Sequence, residues 1–284
     1  MKIIDKSVYT FSKDNTPFCS AQTGEVLLFR TMDCFGGQIT PEDQLTEGLD
    51  LTKCNPAAGP VFIEGAEPGD VLVVDILDVQ VANVGFACSM GETGPLADIS
   101  ELRTRVMSIV DGCVHFNDIC WPINPMIGVI GTAPSGEPVA TGHAGDHGGN
   151  MDSRKIAKGV RVYFPVRVPG ALLQMGDIHA TMGDGEICGT GVEISGEILV
   201  RTSLIKGFDL RWPVTEKEDW WSRCPTLTPH QPLHPRAFAL SIPSPEAHSQ
   251  NNACPAGRWR IPSQLKQPLP IPTPSPAEAP KLER

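Results

Sequence analysis

The stretch Glu67-Pro-Gly-Asp-Val-Leu-Val-Val-Asp-Ile-Leu-Asp-Val-Gln-Val81 decides the fold class. Pro68-Gly69 between two carboxylates reads as a turn, and the β-branched run Val71 to Val81 that follows reads as a strand. The same grammar recurs on either side. Val26–Thr31, Met126–Gly131, Val160–Val168 and Val192–Ile205 are further strand candidates, with Gly24-Glu25 and Pro169-Gly170-Ala171 as additional turns. Helical periodicity is confined to Asp43–Leu51 and, more weakly, Asp98–Val106. Short punctuated strands with few helices predict a mainly β protein with a sandwich or barrel core rather than βαβ units.

The whole chain has 284 residues, 23 basic and 33 acidic, for a net charge of −10. That balance argues against binding to a phosphate backbone. No apolar run approaches the roughly 18 residues of a membrane span, and Met1–Thr10 lacks the apolar core of a signal peptide. The expectation is therefore a cytoplasmic protein without nucleic-acid or membrane partners. Glycine and proline are nearly equal at 28 and 27 but occupy different regions. Residues 1–222 hold 27 of the glycines, with 16 basic and 30 acidic side chains, whereas residues 223–284 hold 14 of the prolines and a charge of +4. We expect a folded acidic body, 1–222, and a proline-rich tail, 223–284, that is largely disordered because proline cannot donate to ladders or helices. The nine cysteines form no Cys-x-x-Cys pair, which removes zinc-ribbon and disulfide-scaffold readings.

Three of the body's four histidines fall in two glycine- and carboxylate-rich segments. The first, Thr141-Gly-His-Ala-Gly-Asp-His-Gly-Gly-Asn-Met-Asp152, makes poor helix or strand, but its glycines allow close backbone approach to a ligand. The second is Gly176-Asp-Ile-His-Ala-Thr-Met-Gly-Asp-Gly-Glu186, leading to Glu193. In extended chain, Asp177 and His179 share a face, as a metal site or an acid/base pair requires. Asp184, within Gly-Asp-Gly, is explained by a turn alone. Asp33, followed by Cys34-Phe-Gly-Gly37, is a third candidate position, and Cys34 offers a thiol nucleophile.

With these residues identified, the body resembles the acetamidase/formamidase family. The resemblance rests on Asp33-Cys-Phe-Gly-Gly-Gln-Ile39, Asn55-Pro-Ala-Ala-Gly-Pro60, Glu64 to Leu72, Met126-Ile-Gly-Val-Ile-Gly131, Gly145 to Asp152, Pro169 to Leu173 and Gly176 to Glu186, in that order. It implies a β-sandwich or barrel core with a smaller α+β section toward the C-terminus, a homodimer or higher homo-oligomer, and hydrolysis of short-chain amides to carboxylate and ammonia. A non-catalytic small-ligand-binding protein on the same scaffold is the alternative.

For the site, the resemblance implies that Asp33, Asp146, His147, Asp152, Asp177, His179, Glu186 and Glu193 line or support it. We expect Asp33, Asp146, Asp177 and His179 to form the ligand pool for a divalent metal, zinc first and calcium second. Glu193 or Glu186 would serve as general base and His147 as oxyanion donor or as a partner supporting a ligand, with His143, Gly148, Asn150 and Asp152 contacting substrate or supporting the ligands. After Asp219-Trp-Trp221 the chain departs from the family pattern, which continues with an amphipathic helix and a last apolar segment. So abrupt a change of composition is what a reading-frame shift near Ser222 would produce.

Overall fold

The computed structural model describes residues 1–40, 44–90, 99–208, 210–217 and 220–223. The proline-rich tail, with the disorder expected of it, lies outside the described residues. Two large β-sheets dominate. The seven-stranded sheet runs in the order Lys2–Ile4, Val26–Thr31, Gly196–Ile205, Val71–Val81, Arg161–Pro165, Val214–Lys217 and Trp220–Arg223. Val71–Val81 is thus its central strand, paired antiparallel on both sides.

Along that strand Leu72, Val74 and Ile76 enter the core, while Asp75 turns to the other face and meets Arg161 at 2.6 Å and Arg201 at 3.5 Å. The alternation then changes phase. Ile76 pairs with Val200 but Asp78 pairs with Leu199, so Leu77 is an extra residue, a bulge that returns Val79 to the core side.

The second sheet places Val84–Ser89, Glu193–Ile194, Leu173–His179, Met126–Gly131 and Gly148–Asn150 side by side, with Ala57–Ile63 joining along Leu173–His179. Phe29, Leu72, Phe164 and Val200 of the first sheet share one buried cluster with Val61, Ile127, Leu173 and Ile178 of the second. The two sheets therefore close a common core as a sandwich.

Among the strands expected from sequence, Val26–Thr31, Val71–Val81 and Met126–Gly131 form with those bounds. Val160–Val168 shortens to Arg161–Pro165, and Val192–Ile205 divides at Ser195 into Glu193–Ile194 and Gly196–Ile205, one strand in each sheet. Neither helical expectation holds. Of Asp43–Leu51 the described part is irregular, ending in a short 3-10 turn at Leu51–Lys53 capped by Asp50, and Arg103–Val110 is a strand. The physical reason is pairing: Arg103–Val110 lies between two antiparallel neighbours, whose ladder outweighs a weak helical periodicity. No α-helix occurs among the described residues, so the α+β section expected toward the C-terminus is not among them. None of their helices is long and apolar enough to cross a membrane.

Candidate active site

The site forms where four neighbouring segments of the second sheet meet. His179 ends the strand Leu173–His179, every residue of which is buried, and pairs directly with Glu193 on one side and Met126 on the other. Asp177 precedes it on the same strand, and Asp152 follows the strand Gly148–Asn150. The backbone here is unusual. Asn55, Asp152, Asp177 and Glu186 have φ of 51°, 39°, 55° and 40°, in the left-handed region that non-glycine residues seldom occupy. At Asp177 this conformation interrupts the ladder: Ile127 pairs with Ile178 and Val129 with Gly176, but no pairing joins Gly128 to Asp177. Such concentration of strained backbone marks a site whose surroundings hold it in place.

Carboxylates surround the His179 ring. Its Nε2 lies 3.2 Å from Glu193 Oε2, 3.6 Å from Asp177 Oδ1 and 3.9 Å from Asp152 Oδ1, and its Nδ1 lies 3.6 Å from Glu186 Oε1 and 3.2 Å from Met182 Sδ. Those three oxygens facing Nε2 are buried and have no hydrogen-bond partner. The remaining oxygens of two of these groups are tied down: Asp177 Oδ2 accepts from Asn55 Nδ2 at 3.0 Å, and Glu193 Oε1 accepts from the Gly191 amide at 2.8 Å.

Four carboxylates around one imidazole, Asp177 and Glu193 buried and Asp152 and Glu186 half-buried, carry more negative charge than a single histidine can balance. Burial first, then Asp177, pushes Asp152 up to about 7, and burial with Asp152 pushes Glu186 up to about 9. Glu193 is likewise raised by burial. For His179 burial opposes the charge, yet Glu193 and Asp177 overcome it and hold the ring well above the ordinary histidine range. Orphaned oxygens, one imidazole and surplus negative charge together fit a divalent cation. Asp152, His179 and Glu186 offer one group of ligand atoms within 4.8 Å of one another, and Cys34, Asp177 and Glu193 offer another.

A small cavity of about 90 Å³ borders this cluster, lined by Asp33, Ile39, Thr40, Phe86 and Glu193 among others. Asp33 Oδ1 accepts from the amides of Phe35 and Gly37 at 3.0 and 3.1 Å, which shapes the turn at the cavity wall, and burial raises the carboxyl. Cys34 is buried beneath it. Burial, followed by Glu193, Asp177 and Asp33, drives its thiol well above the usual cysteine range, so it stays protonated and is poorly suited to nucleophilic attack.

The first histidine-rich segment contributes less directly. Asp146 is half exposed and pairs with Arg167 at 2.8 Å, away from the His179 cluster, and His143 is exposed. Gly148 and Asn150 sit on the strand beside Met126–Gly131, where Asn150 Oδ1 accepts from Asn55 Nδ2 at 3.1 Å. His147 is buried, packs edge-on against Phe11 at 4.8 Å between ring centroids, and leaves its Nε2 without a partner. Burial lowers its imidazole to about 4, against a weak opposing pull from Asp146.

This gives a pH prediction. A histidine near 6.5 when unfolded and about 4 when folded takes up its proton preferentially in the unfolded chain. Its contribution is therefore constant above about pH 6.5 and declines by about 3 kcal/mol as the pH falls toward 4. Urea unfolding of the wild type and His147→Gln, compared across pH 4–7.5, isolates this group from the raised carboxylates, whose effect has the opposite sign. A difference between the two proteins that does not change with pH would contradict it.

Three participants escaped the sequence reading as site residues. Asn55 bridges Asp177 and Asn150 from a left-handed turn. Gly128 leaves room for the carboxylates: a Cβ there would lie 2.6 Å from Asp152 Oδ1 and 2.7 Å from Asp177 Oδ2. Gly191 does the same for His179, whose Nδ1 would be 2.7 Å from its Cβ. The available signal was a glycine inside an otherwise apolar strand, Met126-Ile-Gly-Val-Ile-Gly131, which marks close approach by another group.

A β-sandwich with buried carboxylates gathered around a strand-end histidine describes a class of folds and sites. The sequence comparison narrows it: the Acetamidase/Formamidase family model matches residues 8–145 and 137–223, and the chain belongs to that family. A formamidase of Methylophilus methylotrophus is 31% identical over 250 residues, covering 64% of this chain and 60% of its own length. Among solved structures, a recombinant predicted acetamidase/formamidase from the thermophile Thermoanaerobacter tengcongensis is 44% identical with a TM-score of 0.76, covering 78% of this chain and 75% of its own. An acetamidase from Bacillus halodurans is 40% identical with a TM-score of 0.74, covering 76% and 75%. The chain spans only 59% to 62% of the length of the curated relatives it matches.

Proposed function

We propose that this chain is a metal-dependent hydrolase that cleaves short linear amides to the carboxylate and ammonia. The observation that carries the reading is the convergence of Asp152, Asp177 and Glu193 oxygens, buried and without partners, on His179 beside a cavity of about 90 Å³. Asp152, Asp177 and His179 would hold the ion, zinc first for its imidazole and carboxylate ligands, and calcium second for the oxygen majority. When bound, such an ion supplies Lewis acidity toward the amide carbonyl and lowers the pKa of water toward roughly 7.

The chain's own groups complete the chemistry. Glu193 is anchored through Oε1 to Gly191 and presents Oε2 to the site, so it is placed to accept a proton as water oxygen bonds to the carbonyl carbon. Glu186, on the Nδ1 side of His179, is a second carboxyl that can carry a proton to the nitrogen as the C–N bond breaks. The cavity is open on one side, and a small amide such as formamide or acetamide fits it.

The test is ammonia release from formamide and acetamide, followed by metal stripping checked by elemental analysis. Turnover is expected to disappear on stripping and return on adding back zinc or calcium. Full turnover by verified metal-free protein would reject the metal, whereas thermal stabilisation by amides without ammonia release would reject catalysis in favour of simple binding.

A further inference from the structure

The outer hairpin of the second sheet, Cys113–Phe116 and Ile119–Pro122 joined at Asn117-Asp118, contains none of the residues gathered around His179. Ile119–Pro122 is the edge strand, and all four of its residues are exposed. Register fixes which side chains share a face. Cys113 pairs with Pro122 and His115 with Cys120, so Cys113, His115 and Cys120 project to one side. Val114 and Trp121 pair on the other, where Val114 joins the core. The side away from the core thus carries two free cysteines, Cys113 half-buried and Cys120 exposed.

Cys113 and Cys120 are diagonal neighbours across the two strands, a spacing at which side chains reach one another, and a hydrogen bond joins their thiols. That hydrogen bond, with smaller contributions from burial and Asp111, raises the Cys120 thiol above the usual cysteine range, so its ionisation calls for a base. His115 stands directly opposite Cys120 and is exposed, which places an imidazole beside the sulfur. Diagonal neighbours lie farther apart than the partners of a relaxed disulfide. A bond between them would therefore be strained and readily reduced, which is the character of exchanging rather than structural disulfides.

We propose that Cys113 and Cys120 form a reversible thiol–disulfide exchange site that reacts with small-molecule disulfides of the glutathione type. The Cys120 sulfur, its proton passed to His115, attacks one sulfur of the small disulfide. That S–S bond breaks, and the departing thiolate takes the proton. The Cys113 sulfur then gives up its own proton and attacks Cys120 in the mixed disulfide, forming the Cys113–Cys120 bond and expelling the second small thiol. The protein pair is oxidised by loss of two hydrogens, and one small disulfide is reduced to two thiols. No step of amide hydrolysis uses these residues, so the assignment stands apart from the amidase reading.

Mass spectrometry of the full chain tests it. The reduced protein is incubated with oxidised glutathione, quenched with acid, alkylated and digested with trypsin without reductant. Both cysteines fall in one tryptic peptide, Val106–Arg154, which contains no other cysteine. That peptide should lose two hydrogens and resist alkylation, and reduced glutathione should reverse the change. In Cys113→Ser, glutathione should stay on Cys120 at a level at least tenfold above wild type, with circular dichroism confirming the fold. If Cys113→Ser fails to fold, the wild-type time course decides, since glutathione on Cys120 should appear and then give way to the internal link. Glutathione that persists on wild-type Cys120, or both thiols still open to alkylation after the incubation, would overturn the assignment.

Discussion

Asp177→Asn should lower kcat/KM for formamide or acetamide by two to four orders of magnitude while leaving the protein folded. The substitution is chosen for what it preserves. Asparagine tolerates the left-handed backbone that Asp177 adopts, φ 55°, better than other neutral residues, and its carbonyl can still accept from Asn55. What it removes is the charge on the oxygen 3.6 Å from His179 Nε2. In the metal-free protein that removal weakens the pairing with the single His179 but relieves repulsion with both Asp152 and Glu193, so Asp177→Asn should raise the melting temperature as it lowers turnover. Steady-state kinetics and calorimetry of the same preparation read both effects. A loss below tenfold, about 1.4 kcal/mol in the barrier, would show that Asp177 is not central. A fall in melting temperature without metal would show that the carboxylates do not repel as described.

That expected opposition between stability and activity follows from how the site is built. The sheet brings Asp152, Asp177, Glu186 and Glu193 around one imidazole and leaves three of their oxygens without partners. Satisfied cores avoid such an arrangement. It is tolerated because the strands on either side are fully buried and well paired, so the ladder fixes positions that the side chains alone would not choose.

The parts legible in the sequence are those governed by local pattern. Val71–Val81 is apolar on its core face and bounded by a Pro-Gly turn, and it forms the strand its pattern implies. Even there the bulge at Leu77 is invisible, because it is set by register with Gly196–Ile205 and not by any property of leucine. Asp43–Leu51 misled for a related reason. A run of polar and apolar residues at helical spacing forms a helix only when it has a surface to bury against, and its described part is instead fixed by Gln38 and Gln44 bonding to loop backbone.

Within the site, Asp177 with His179 was readable from strand alternation. The choice between Asp146 and Asp152 was not. Both carboxylates lie in one glycine-rich segment, and which one turns inward depends on the left-handed backbone at Asp152, φ 39°, and on the ion pair between Asp146 and Arg167. Neither is encoded by spacing. Gly128 reads in sequence as one position of an apolar strand, and its purpose follows only from the approach of Asp152 and Asp177 to it.

Gly128→Ala therefore makes the most direct test of whether the carboxylates must sit where they do. The added Cβ would lie 2.6 Å from Asp152 Oδ1, 2.7 Å from Asp177 Oδ2 and 2.9 Å from the Asp177 carbonyl oxygen, all closer than carbon and oxygen tolerate. Rotating one carboxylate cannot relieve three contacts, one of which is backbone. Both side chains must leave, and with them the group of donors facing His179. We expect at least a hundredfold loss of activity, loss of bound metal by elemental analysis, and destabilisation of about 1–3 kcal/mol as in other overpacked cores. Gly136→Ala is the matched control, because a Cβ there meets nothing within 4 Å and it should behave as wild type. Because alanine adds no charge and removes no side chain, retained activity in Gly128→Ala would mean that Asp152 and Asp177 can move apart without consequence. The site would then have to be sought among the remaining groups, Asp33, Glu186 and Glu193.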